Sequence, residues 1–243
     1  MTILGCRVVE TATTIADQVF AEIRRAIVEG DIPQGSKISE PELARRFGIS
    51  RGPLREAMQR LESSNLVERR PNVGARVITL SNEQLLEIFH VREALEGMAA
   101  RLASRRMSDD EVADLRALVL DHQQQVERDE GKAYMQREGD LDFHYRIVEG
   151  SHNRRLKGLL CNDLYHLVRM YRFQFGMASP RARRALREHS HIVEAIEGRD
   201  GELAEILMRR HIRASRKNLE RRLSEEPSAR NDAVDARAEG ALA

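Results

Sequence analysis

The chain has 243 residues, a formal net charge of +1 and two cysteines, with 41% hydrophobic and 33% charged residues. This composition is typical of soluble, mostly helical proteins, and the length allows one large domain or two small ones. No apolar run approaches the ~20 residues that span a bilayer, the start lacks the order of a signal peptide, and the cysteines form no CxxC pair. We therefore exclude a membrane span, a disulfide framework and a zinc ribbon, and we expect a cytoplasmic protein.

Residues 13–48 predict two helices. Apolar residues recur at four-residue steps over 15–27, and Gly30 stands where this first helix would end. The second helix is barely two turns long. Ser39 and Glu42 have the spacing of a capping box at its start.

Residues 50–80 predict a third helix and a hairpin. Ser50 is the expected cap of this helix, and its buried stripe would consist of Leu54, Met58 and Leu61. Apolar and polar residues then alternate on each side of a turn at 71–74. This change of period indicates two antiparallel strands.

From Ser81 onward the pattern is helical again and predicts a second domain of about six helices. Ser81 with Gln84, and Ser108 with Glu111, have capping-box spacing. The core face of the first long helix is predicted to contain Leu85, Ile88, Phe89, Leu95 and Met98. The last three helices are expected near 155–176, 180–198 and 201–223.

Three helices followed by a hairpin are typical of a winged helix-turn-helix, whose third helix enters the major groove of DNA. Together with the helical remainder, this order predicts a mainly α protein in four segments. They are a flexible arm over 1–12, a winged helix-turn-helix over 13–80, an all-helical bundle over 81–223 and a disordered tail over 224–243.

The basic charge of the N-terminal domain is concentrated in the predicted groove-facing helix. Residues 45–60 contain five Arg and one Glu. Arg51 and Arg55 lie one turn apart, so both guanidinium groups project to one side, within reach of guanine edges or phosphates. Ser50 and Gly52 would let the backbone approach a phosphate. Solvated arginines on a small helical domain would also explain the charge, but the order of elements favours DNA binding.

Three segments, AIVEGDIPQGSKISEPELA, GISRGPLREAMQRLE and RRPNVGARV, carry a resemblance to a known family. In order and spacing they resemble the DNA-binding domain of the GntR family of bacterial transcription regulators. The resemblance implies operator contacts from the third helix and the wing, made by Ser50, Arg51, Gly52, Arg55, Asn72 and Gly74. Many members also have an arginine in the second helix, where this chain has Pro41, so contacts from that helix stay open.

A carboxylate and an imidazole, Asp140 and His144, lie four residues apart in a helical pattern and can point at one ion. His189 and His211 fall on two later helices that could face them across a bundle. Three imidazoles and one carboxylate suit Zn, Ni, Co or Mn. On spacing alone, however, a hydrogen-bonded or surface histidine is the commoner explanation.

Residues 84–223 resemble the FCD effector-binding domain of the FadR-type subfamily, and the number of helices is similar to its VanR-like branch. The resemblance implies a divalent ion, with zinc expected first and nickel, cobalt or manganese as alternatives. Its four ligand positions are filled, by Asp140, His144, His189 and His211. When the chain is aligned with that domain, Asp140 and His189 fall on the ligand positions, and the nearby Asp142 and His191 do not.

Three more residues are candidates for contacting an effector. Arg92 matches an arginine that projects into the same cavity in related domains, although it could equally pair with Glu96 at i+4. Arg169 and Tyr165 lie one turn apart and could line the pocket, although aromatic residues in a helix more often belong to the core. The segment LYHLVRMYRFQF, together with EGDLDFHYRI and GELAEILMRRHI, is also similar to regulators of propionate catabolism that respond to a methylcitrate-cycle tricarboxylate.

These features predict a homodimeric transcription regulator, most simply a repressor, and not an enzyme. Its partners would be double-stranded DNA with a palindromic operator and a small organic acid, with a tricarboxylate as one candidate. The acid would bind at the metal and change operator affinity. Two alternatives are a regulator for which the ion itself is the signal, and a metal-dependent hydrolase fused to a DNA-binding domain. No obvious general base accompanies the four ligands, which disfavours the hydrolase.

Overall fold

In the computed structural model, the chain divides between Ile78 and Thr79 into two compact units. The described residues are 14–70, 74–128, 142–174 and 181–225. The predicted arm over 1–12 and nearly all of the predicted tail lie outside them, as does most of the hairpin turn. Across those four stretches, no helix is both long and apolar enough to cross a membrane.

The N-terminal unit consists of three helices and a small antiparallel sheet. Its elements are α1 (Ile15–Glu29), β1 (Lys37–Ile38), α2 (Glu40–Phe47), α3 (Arg51–Ser63), β2 (Val67–Arg70) and β3 (Gly74–Val77). The predicted hairpin is present, with β2 and β3 in register from Val67↔Val77 to Arg70↔Gly74. Strand β1 adds to the other edge of β3, giving the order β1-β3-β2. It was not predicted, because two residues are too short to show a period of two.

The core of this unit lies between α1 and α3. The predicted stripe of α3 is fully buried, as are Ile23 and Ile27 of α1. Burying side chains of this size contributes roughly 1.5–3 kcal/mol each. This packing fixes which face of α3 is turned away from the core, and Arg51 and Arg55 are exposed there.

The caps of α2 and α3 differ from the prediction. Ser39 and Ser50 precede their helices in extended conformation, but neither side chain makes a cap hydrogen bond. In α3 the third helical residue is Pro53, which lacks the N–H that such a cap would use, whereas Glu42 keeps this N–H in α2. The predicted capping box at Ser39 is wrong, because its side chain makes no cap hydrogen bond.

The described parts of the C-terminal unit consist of helices and the short connections between them. Its elements are α4 (Asn82–Arg106), α5 (Asp109–Arg128), α6 (Phe143–Gly150), α7 (Arg154–Lys157), a π-helix (Gly158–Leu164), α8 (Tyr165–Gln174), α9 (Ala182–Glu197) and α10 (Gly201–Glu225). The stretch predicted as one helix over 155–176 is thus continuous from α7 to α8, but its middle is wound as a π-helix. The predicted capping boxes at Ser81 and Ser108 are both confirmed.

Helix α4 packs along α10 at the centre of this unit. The prediction for its core face is correct for Leu85 and Phe89, but Met98 is wrong, because it is 38% exposed. The contact with α10 uses small residues instead. A Cβ atom on Gly97 would lie 2.7 Å from Cγ of Arg209, so this close approach of the two helices requires glycine there.

Candidate functional site

Three buried histidines from three helices converge inside the C-terminal unit. His144 of α6, His189 of α9 and His211 of α10 each offer one nitrogen, and these nitrogens lie within 4.8 Å of one another. The Nε2 atoms of His189 and His211 are 3.2 Å apart. In a tetrahedral zinc site with Zn–N bonds of about 2.0–2.1 Å, neighbouring nitrogens lie about 3.3 Å apart. Two of the three donors are therefore already at the spacing of metal ligands.

The start of helix α6 places His144. Asp142 is the N-cap of α6, and its carboxylate accepts hydrogen bonds from the backbone N–H groups of His144 and Tyr145 at 2.9 and 3.2 Å. Phe143 stacks on His189 with ring centroids 3.9 Å apart, which orients that imidazole. Asp142 thus has a structural role at the helix end. The predicted fourth ligand, Asp140, lies outside the described residues, and His191 is exposed on the surface of α9.

Two glutamates bind the outer nitrogens of the cluster. Glu96 Oε2 lies 2.7 Å from His144 Nδ1, and Glu188 Oε2 lies 2.7 Å from His211 Nδ1. A carboxylate only accepts, so Nδ1 must carry the hydrogen in both rings. In the neutral form of each ring the lone pair is then on Nε2, as metal binding through that atom requires.

The electrostatics of the site favour a neutral imidazole at His211. Burial lowers the pKa of His211 to about 4, although its hydrogen bond to Glu188 opposes this shift. Burial would raise the pKa of Glu96, but the charges of Arg92 and His144 outweigh it and hold the pKa below its usual range. Burial would also raise the pKa of Glu188, but His211 and Arg181 lower it to about 2. Both carboxylates are therefore ionised near neutral pH, and His211 presents an unprotonated Nε2.

Neither glutamate was predicted as a histidine partner. Glu96 is 48 residues from His144 in the chain, and Glu188 is 23 residues from His211, so no local pattern links them. The i+4 spacing of Arg92 and Glu96 did indicate an ion pair between these two residues, but it gave no indication of the contact between Glu96 and His144.

A cavity adjoins the cluster on the side of His144. It is partly open to solvent, and the space in it that a water molecule can reach is about 30 Å³. All three predicted effector residues line it, together with residues of the π-helix. Arg92 Nε donates to Glu96 Oε1 at 2.6 Å, so this arginine both pairs with Glu96 and faces the cavity. Arg169 is buried, and its Cζ atom lies 5.7 Å from the ring centroid of Tyr165.

On the N-terminal unit, the predicted DNA-contacting residues lie together around the start of α3. Ser50, Arg51, Gly52 and Arg55 are exposed. A Cβ atom on Gly52 would meet no described atom within 4 Å. In the wing, Gly74 has a φ of +93°, a conformation that favours glycine, while Asn72 lies outside the described residues.

Two arginines of the wing, which is the β2–β3 hairpin, form ion pairs or hydrogen bonds with residues outside the hairpin. Arg69 pairs with Glu40 at 3.0 Å and also with Glu62. Arg76 donates to the carbonyl of Gly35 at 2.7 Å. These contacts tie the sheet to the helices, and the arginines that make them are committed to protein groups. Arg51 and Arg55 are exposed at the start of α3 and are the better candidates for DNA contacts.

Both units match known families. The family model of bacterial regulatory proteins, gntR family, matches residues 15–77, and that of the FCD domain matches residues 87–214. The chain is 31% identical over 189 residues to an uncharacterized HTH-type transcriptional regulator, YdhC, of Bacillus subtilis, covering 77% of this chain and 83% of that protein. It is 30% identical to the probable D-xylose utilization operon transcriptional repressor of Paenarthrobacter nicotinovorans, covering 84% and 88% of the two chains.

A solved structure shares the fold. Escherichia coli McbR/YncC superposes with a TM-score of 0.66 at 20% identity, covering 87% of this chain and 99% of that chain. The chain therefore belongs to the GntR family of bacterial regulatory proteins, in the FadR-type subfamily with an FCD domain, and it is a DNA-binding transcriptional regulator rather than an enzyme.

Proposed function

We propose that this regulator is a homodimeric repressor whose operator affinity is changed by a small carboxylate bound at a metal ion in the C-terminal unit. The observation that carries the proposal is the position of the histidine cluster beside a cavity that contains two arginines. A metal site and a pocket with two arginines, which share His144, would provide complementary contacts for one organic acid.

The donor set fits a borderline divalent ion. The three converging imidazoles would hold it, with Asp140 as a fourth ligand, and zinc is the first candidate, followed by nickel, cobalt and manganese. When bound, the ion supplies a positive charge and a coordination position for a carboxylate. Three neutral imidazoles and one carboxylate leave a divalent ion with net positive charge, which favours an anionic ligand.

Arg92 and Arg169 would bind the remainder of the acid. Both are buried, and a guanidinium taken out of water binds a carboxylate more strongly than an exposed one. The similarity to regulators of propionate catabolism makes a methylcitrate-cycle tricarboxylate the first acid to test. Tyr165 lines the same cavity and would contact the acid beside Arg169.

DNA binding would use α3 of both protomers. In a symmetric dimer the two recognition helices read the halves of a palindrome, with Arg51 and Arg55 at base edges or phosphates. A repressor is supported by the similarity to the Paenarthrobacter relative, a probable transcriptional repressor. The acid would favour one arrangement of the helical unit, and residues 79–83 would transmit the change to the DNA-binding unit.

A thermal-shift screen of mono-, di- and tricarboxylates on the zinc-replete chain tests this proposal. A binding acid at 100 times its Kd should stabilise the chain by about 2.7 kcal/mol. The stabilisation should disappear after chelation of the metal. An acid that stabilises the chelated protein equally would show that the metal does not hold the acid.

A second candidate is supported by the cluster itself, because the three histidines alone offer converging ligand atoms for an ion. In this alternative the ion is the signal. Operator affinity would then follow the free zinc concentration in buffers without organic acid. A response to acid at constant zinc would exclude it.

A further inference from the structure

Glu96 connects the pocket to the metal cluster through its two oxygens. Oε1 accepts from Arg92 Nε at 2.6 Å, and Oε2 accepts from His144 Nδ1 at 2.7 Å. The three side chains are buried, with Glu96 and Arg92 each 5% exposed. One carboxylate thus serves a pocket arginine and a candidate metal ligand at the same time.

We propose that Glu96 is a positioning residue for His144 and that Arg92 sets the strength of the hydrogen bond between them. An acid that binds Arg92 would then change the metal affinity of His144 through Glu96. This inference rests on the proposed function. While Arg92 holds Oε1, part of the negative charge of Glu96 is neutralised. An acid that takes over the guanidinium would leave Glu96 to His144 alone, strengthen that hydrogen bond and make Nε2 a better ligand.

Replacement of Glu96 by glutamine makes this arrangement testable with zinc alone. Arg92 Nε donates, so it requires the amide oxygen. The amide NH₂ must then face His144, where it donates to Nδ1 and favours the tautomer with hydrogen on Nε2. That tautomer has no lone pair on Nε2 for the ion. Glu96→Gln should therefore weaken zinc binding by about 10- to 100-fold, the usual range for such partners.

Removal of Arg92 should reverse the defect. Without the guanidinium, the amide is free to turn its oxygen towards His144 Nδ1 and restore the useful tautomer. We expect Arg92→Met to recover about tenfold of the lost zinc affinity in the Glu96→Gln background. A purely structural role of Glu96 gives no reason for such a rescue.

Glu188 provides the matched control. Its Oε2 accepts from both His211 Nδ1 and Arg181, and Arg184 donates to its Oε1. Because one oxygen serves both His211 and Arg181, Glu188→Gln can keep its amide oxygen towards His211 and should weaken zinc binding less than Glu96→Gln does. Arg92→Met should add to it no more than the small gain that removal of one positive charge gives in the unmodified chain.

The experiment measures zinc affinity by competition with a chelator in the full chain, for these variants and their combinations. Nitrogen NMR of the histidines in the metal-free unmodified chain reports the tautomer of His144 without any substitution. Hydrogen on Nδ1 together with specific rescue supports the inference. Hydrogen on Nε2 in the unmodified chain, or equal rescue of both glutamine variants, overturns it. Failure of the proposed function appears differently, as an unmodified chain that does not bind zinc.

Discussion

The Nε2 atoms of His189 and His211 lie 3.2 Å apart, although the two residues belong to different helices. A second group fixes the orientation of each imidazole. The ring of Phe143 stacks on His189, and the carboxylate of Glu188 accepts a hydrogen bond from Nδ1 of His211. The nitrogens are therefore brought together by packing and hydrogen bonds of the fold itself. Such preorganisation reduces the cost of assembling a metal site.

Loss of either histidine should lower the metal content of the chain. His189→Ala and His211→Ala each remove one of the converging nitrogens, so zinc stoichiometry measured by elemental analysis should fall well below that of the unmodified chain. The matched control is His191→Ala, because His191 lies on the same helix but is exposed. Equal zinc content in all three variants would show that the ligands are wrongly assigned.

Arg51 and Arg55 should carry sequence-specific DNA binding. A bidentate contact of arginine with guanine contributes about 1–3 kcal/mol of discrimination, so each alanine variant should lose roughly tenfold or more in affinity for DNA sequences selected with the unmodified chain. Arg25→Ala is the control, since Arg25 is an exposed arginine of α1 paired with Glu29. Sequence preference retained in both α3 variants would contradict the recognition-helix assignment.

The metal-free chain should lose stability as the pH falls below about 6.5. The pKa of His211 is about 4 in the folded chain and near 6.5 when unfolded, so the unfolded state binds more protons between these values. The free energy of unfolding should fall by about 3 kcal/mol between pH 7.5 and pH 4 from this group.

Urea unfolding at several pH values measures this effect. A His211→Gln variant lacks the titrating group and should show a shallower dependence over the same range. If the two chains lose stability in parallel, His211 is not buried as a neutral imidazole.

Gly150 should not tolerate even alanine. A Cβ atom there would lie 2.6 Å from Cγ and Sδ of Met107, which is itself buried. Gly150→Ala should therefore destabilise the chain by about 1–3 kcal/mol in thermal unfolding. Gly158→Ala is the matched control, because no described atom lies within 4 Å of its added Cβ and its backbone is helical. Comparable losses in both variants would contradict the close contact at Met107.

Helices and strands could be predicted from the sequence where the spacing of apolar residues within one short segment identifies them. The stripe of Leu54, Met58 and Leu61 follows helical spacing, and the alternation around residues 71–74 follows strand spacing, so both could be recognised without the structure. The π-helix could not, because a wider turn in a continuous apolar helix leaves no distinct pattern.

Within the candidate site, residue types were more predictable than their partners. His144, His189 and His211 were candidates from the sequence, and the structure brings them together. The glutamates behind them were missed, since contacts between residues distant in the chain depend on how helices pack. The assignment of Asp140 as a ligand stays a prediction.

Operator affinity measured by fluorescence anisotropy decides whether an acid changes DNA binding through the metal site. The measurement uses DNA selected by the chain and the acid found in the thermal-shift screen, first with zinc-replete protein and then after chelation. The proposed function predicts that the acid changes the operator Kd only in the zinc-replete protein. The same change after chelation, or no change with zinc bound, would contradict it.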